Sequence, residues 1–167
     1  MFIEGGTLLL GCVALGCLAV GCRSSDTHGR DADLQPRALS FERLEVGTQS
    51  AVRDKAVRVA WTEGELEALW SEHKKLQLPV PRAPKIEMTG CAVVGVFLGN
   101  RPSGGWTVEV GDVGLSAQGA IVVHALEHAP AAGAITTQAI TSPYAIVVVE
   151  GAPPSAPVEL ILDSAVQ

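Results

Sequence analysis

The sequence is poor in aromatic residues: three Trp, one Tyr and three Phe among 167 residues, or 4%. A core drawn from it must be aliphatic, built from Val, Leu, Ile and Ala, and few positions remain for stacking against sugars or bases. Charge is also sparse, at 18% of residues against 47% hydrophobic, which excludes a chain disordered along its whole length. Lys and Arg nowhere cluster, and the formal net charge is −6, or about −5 once residues 1–21, whose one charge is Glu4, are set aside. That balance leaves no electrostatic footprint for nucleic acid, and no nucleic-acid partner is expected. Cysteine is scarce too. Positions 12, 17 and 22 hold three of the four, so beyond Cys22 only Cys91 remains. One thiol cannot form an internal disulfide, and the fold must rest on its core. Cys91 opens the run Ala92–Leu98 and reads as a buried small apolar residue rather than a nucleophile.

What is present begins with an apolar run, residues 7–21, that ends Leu18-Ala19-Val20-Gly21 ahead of Cys22. Crossing a bilayer takes roughly 20 apolar residues, so this run suits the hydrophobic region of a secretory signal better than a span. Small residues directly before a cysteine resemble a bacterial lipoprotein signal. The resemblance implies cleavage of residues 1–21, lipidation of Cys22 (palmitate among the acyl chains), and a protein anchored in the cell envelope facing the periplasm or exterior. An ordinary transmembrane anchor is the alternative, and it too tethers the domain outside the cytoplasm. Residues 22–40, rich in Ser, Asp, Arg and Gly, read as a flexible tether, and 41–167 as a single domain.

Within that domain, Phe41–Val46 and Ala56–Trp61 alternate in the manner of strands. Thr62-Glu63-Gly64-Glu65 is a capping box, in which the Thr62 hydroxyl accepts from the Glu65 amide and the Glu65 carboxylate reaches back. Leu66, Leu69, Trp70 and His73 follow at helical spacing on one face, with His73 at its boundary. Pro79, Pro81 and Pro84 then exclude helix. Cys91–Leu98, eight residues without a polar side chain beyond the thiol, predicts a strand buried on both faces. Gly99-Asn100-Arg101-Pro102-Ser103-Gly104-Gly105 is turn chemistry, and Trp106–Val110 alternates again. Together they suggest a β-hairpin with a wide loop. Gly111–Gly119 reads as a turn, Ala120–Glu127 as a strand, and Val158–Leu162 as a last one. The expected fold class is α+β: one amphipathic helix packed on a mainly antiparallel sheet or small sandwich.

This order of parts resembles the carboxy-terminal domain family named after the PrcB protease-complex subunit. The resemblance rests on Glu65–Trp70, Val94–Gly99, Arg101-Pro102-Ser103-Gly104-Gly105-Trp106 and Ile140–Val147, within residues 56–150. It implies a small α+β domain on a bacterial lipoprotein, associated with a secreted or surface protease, with no catalytic residues to carry over.

Three chemical motifs compete with that reading. His124-Ala125-Leu126-Glu127-His128 matches H-x-x-E-H, which on a helix brings two imidazoles to one Zn²⁺. Here it follows β-branched Ile121-Val122-Val123, and on a strand the two histidines stand about 13 Å apart. Gly99–Gly104 has the outer glycines of a phosphate loop, but Gly105-Trp106 replaces the Lys-Ser/Thr pair. Ser103, His124 and Asp112 can be composed into a triad, with no G-x-S-x-G elbow to support it. The expectation is therefore a non-catalytic accessory or protein-binding lipoprotein without cofactor or metal. Its membrane contact would run through acylated Cys22, its partner would be another envelope or surface protein, and Arg101 and Trp106 would be candidates for an exposed recognition surface. A zinc-dependent hydrolase and a binder of cell-wall glycan or another small ligand are the alternatives.

Overall fold

The computed structural model describes residues 37–166; the apolar amino-terminal run, Cys22 and most of the expected tether lie outside them. The elements run β1 (Arg37–Ala38), β2 (Phe41–Gly47), β3 (Ala56–Ala60), α1 (Glu63–Lys74), β4 (Cys91–Phe97), β5 (Thr107–Leu115), β6 (Ile121–Ala129), β7 (Tyr144–Glu150) and β8 (Val158–Val166). They form two four-stranded sheets, one ordered β1-β5-β6-β8 and the other β2-β7-β4-β3. Every pairing is antiparallel except β6 with β8. At the start of the described residues β1 pairs with the far end of β5, and Leu39 enters the core.

The α+β expectation is corrected by this arrangement. The described residues are sheet-dominated, with a single short helix serving as a cover. The reason lies in the alternating residues. Val108, Val110, Val113, Leu115, Ile121, Val123 and Ala125 of β5 and β6 all bury one face, and one helix is too small to cover them. They pack instead on Ala92, Val94, Val96, Ala145, Val147 and Val149 of the opposing sheet, forming the main core. A second core lies on the outer face of β4 and β7, where Leu66, Leu69 and Trp70 of α1 meet Val93, Phe97, Tyr144 and Ile146. β4 is consequently buried at every residue, as its apolar run predicts. The helix starts at the expected box, with Thr62 Oγ1 accepting from Glu65 N at 3.2 Å and Glu65 Oε2 from Thr62 N at 3.1 Å.

The stretch expected to be a hairpin is not one. β4 pairs with β3 and β7 while β5 pairs with β1 and β6, so the glycine-rich connection carries the chain from one sheet to the other. The expected turn at Gly111–Gly119 is also shorter than its glycines suggest. β5 continues to Leu115 through a bulge between Val110 and Asp112, and the turn is confined to the residues between Leu115 and Ile121.

Candidate functional site

One pole of the sandwich gathers the connections. Gly47 and Phe97 both lie opposite Tyr144, Ala56 lies opposite Phe97, and Thr107 lies opposite His128. The carboxyl end of α1 reaches the same pole, where His73 O accepts from Ala51 N at 2.9 Å. The loops 48–55, 75–80, 98–106 and 130–143 therefore share one end. The described chain enters at the other, where Arg37 lies opposite Leu115.

The signature segment Arg101–Trp106 is buckled into this pole. Arg101 and Thr141 exchange backbone hydrogen bonds of 2.7 and 3.0 Å, Gly104 N donates to Thr137 O at 2.9 Å, and Thr141 Oγ1 donates to Ser103 O at 2.8 Å. The double glycine permits that approach. A Cβ on Gly104 would overlap the Thr137 hydroxyl; on Gly105, at φ +85°, it would stand 2.9 Å from Pro130 Cβ. Arg101 Nε donates to Glu127 Oε1 at 2.7 Å, its terminal nitrogen donates to Leu98 O at 2.8 Å, and its guanidinium lies 5.5 Å from the centroid of the half-buried Trp106 ring. Arg101 and Trp106, the two candidate recognition residues, are thus brought together and joined by a third, Glu127, which is 7% exposed. The pair bridges the two sheets at their rim.

Glu127 settles the geometry of the H-x-x-E-H segment. Residues 121–129 are strand β6, so Glu127 points inward with Val123 and Ala125, while His124 and His128 point outward with Leu126 between them. His124 lies opposite Asp112, and His128 Nε2 lies 3.9 Å from Glu109 Oε2. The two imidazoles cannot share one ion at Zn–N distances of about 2 Å. Ser103 sits in the polar loop before the start of β5, five ladder residues or roughly 16 Å from Asp112, and its hydroxyl donates to Gly104 O at 3.1 Å. The three residues of that composed triad are not assembled.

A different polar cluster, missed in the sequence, underlies α1. His73 is 1% exposed, with Nδ1 2.9 Å from Ser50 Oγ and Nε2 3.5 Å from Glu45 Oε2. Lys74 pairs with the other oxygen of Glu45. Burial pushes the imidazole below its ordinary value near 6.5, and Lys74 adds to that shift while Glu45 opposes it. Burial likewise pushes the Tyr144 phenol upward, with Glu45 adding to it. The order hydroxyl–imidazole–carboxylate is that of a nucleophilic relay. Ser50, however, is 1% exposed and its Oγ already accepts from Val52 N at 3.0 Å, so no substrate carbonyl can reach it. The cluster holds the end of α1 on β2. The signal available in sequence was His73 itself, in register with Leu66, Leu69 and Trp70 and therefore on the buried face.

A groove of about 480 Å³ lies beside β2 and is lined by Glu42, Leu44, Lys85, Ile86, Cys91 and Glu150 among others. It offers no aromatic platform for a sugar. Cys91 Sγ donates to Glu87 O at 2.9 Å, and its ionisation is pushed up by burial first and by Glu87 and Glu150 next, which makes it a poor nucleophile.

What the pole does expose is apolar. Leu78 and Ile135 are 91% and 103% exposed, and Val46, Leu76, Ile140 and Val166 accompany them at the same end. Residues 129–143 carry no charged side chain; Arg53, Asp54, Lys55 and Lys75 are exposed on the neighbouring loops, and Arg53 donates to Asn100 Oδ1 and Ser142 Oγ, each at 3.2 Å. Compared with known families, residues 92–150 match the model described as PrcB C-terminal, a segment running from β4 to the end of β7. The matched span is shorter than the resemblance read from sequence and leaves out α1. No curated protein matches the chain, and no solved structure matches it.

Proposed function

Residues 92–150 belong to the PrcB C-terminal family, and from that premise we propose that this protein is a membrane-tethered, non-catalytic accessory lipoprotein that binds another envelope or surface protein, a secreted protease being the partner the family suggests. The observation that carries the reading is the apolar pole. Large exposed aliphatic side chains such as Leu78 and Ile135 are costly to keep in water, and such patches mark contact sites. Anchoring through Cys22 would leave the pole open to a partner, because Arg37, where the described chain enters, lies at the opposite end. Arg101 and Trp106 serve this surface as its frame, holding loop 130–143 against loop 98–106.

The test is recovery of the full chain from its native membranes in mild detergent, with mass spectrometry of the mature amino terminus and of what co-purifies. An acylated Cys22 at the terminus is expected, together with one protein in fixed ratio that is lost from a Leu78→Asp/Ile135→Asp variant. Recovery of the chain alone across detergents, or a partner indifferent to that variant, overturns the assignment of the pole.

A further inference from the structure

The two sheets have four edges, and three carry a device against pairing with another chain. β1 is two residues long. β2 is broken by a bulge between Arg43 and Glu45, and Arg43 reaches out to Glu109 at 2.9 Å. β3 is five residues long and places at its centre Arg58, which is tied to Glu72 of α1 by two contacts of 3.1 Å. β8 has none of these. It runs nine residues, Val158–Val166, in unbroken register with β6, its one partner among the described residues, without Lys, Arg, Pro or bulge. Its outer face carries Glu159, Ile161 and Asp163, with Ile161 44% and Val166 73% exposed.

We infer that β8 is a homodimer edge, on which the β8 of a second copy of this chain pairs antiparallel across a two-fold axis perpendicular to the sheet. The strand's own sequence argues for this occupant. Directly opposed residues must share a face, so the permitted registers step by two residues. Only the register centred on Leu162 pairs the whole strand with itself. It sets Val158 against Val166, Glu159 against Ala165, Leu160 against Ser164, and Ile161 against Asp163. No like charges face each other in it. A step one way, centred on Ile161, opposes Glu159 to Asp163; a step the other way opposes Asp163 to its own copy. Both are disfavoured by like-charge repulsion, so charge selects the full-length register. The product is one continuous eight-stranded sheet, in which the exposed Val166 is covered by Val158 of the second copy. This edge meets the apolar pole only at Val166, and the inference does not depend on the function proposed for the pole.

The experiment is native mass spectrometry and light scattering on the full chain in detergent at tens of micromolar. A dimer is expected. Ile161→Asp places a carboxylate against Asp163 of the second copy and should give monomer. Ile161→Asp combined with Asp163→Lys turns the same contact into an opposite-charge pair and should restore the dimer. Both positions are exposed, and circular dichroism with thermal melting checks that each variant is folded. Association through the acyl chain is common to all three proteins and so cannot produce that pattern. A wild-type chain that stays monomeric overturns the inference. So does a dimer that survives Ile161→Asp, which would place the interface elsewhere, or a double variant that stays monomeric while folded, which would refute the register.

Discussion

Arg101 and Glu127 lie 26 residues apart and meet at 2.7 Å with 20% and 10% of their side chains exposed. A charge pair this far from water costs most when only one member is removed, because the other is left buried and alone. Arg101→Leu should lower unfolding free energy by about 3 kcal/mol, and Arg101→Leu/Glu127→Leu should recover much of it, both read by denaturant titration. Gly105→Ala should cost about 1–2 kcal/mol, for φ +85° and the Pro130 contact together. The motif Arg101–Trp106 was legible as a family mark, but the partner of Arg101 was not. In sequence Glu127 belongs to H-x-x-E-H and suggests a metal. What assigns it to Arg101 is strand parity, since residues at odd positions of β6 face inward.

The best-defined element is α1, and its start could be read directly. Thr62 and Glu65 act within four residues, so nothing tertiary is needed to form the box. Thr62→Ala should cost about 1 kcal/mol and lower the melting temperature by several degrees. β4 was equally legible, because a strand without polar side chains fits only the middle of a layered fold. The link between β4 and β5 was not. Glycine and proline state that the chain changes direction, and they are silent on whether the next strand joins the same sheet. Gly111 and Gly114 suggested a turn for a related reason, whereas one sits at a bulge and the other passes close to Arg37 O inside a continuing strand.

For the molecule as a whole, acid stability should depend on His73. Its pKa is depressed in the fold, so the unfolded chain binds more protons below the ordinary value near 6.5. Stability is therefore retained above that pH and lost as pH falls below it. Unfolding midpoints measured from about pH 7 to 5 should decline, and the decline should be shallower in His73→Phe, which keeps an aromatic ring among Trp70, Phe97 and Tyr144. An unchanged pH slope in that variant would remove His73 from the account. The sequence by itself determined the helix and its cap, the doubly buried strand and the aliphatic core, because each rests on neighbours a few residues apart or on composition. Only the tertiary structure decided that the alternating strands build a second sheet, that the glycine-rich signature crosses between sheets and is locked by Arg101 and Glu127, and that the exposed aliphatics collect at one pole. Those facts depend on which distant segments share space, and that is settled by the burial of whole faces, not by any local pattern.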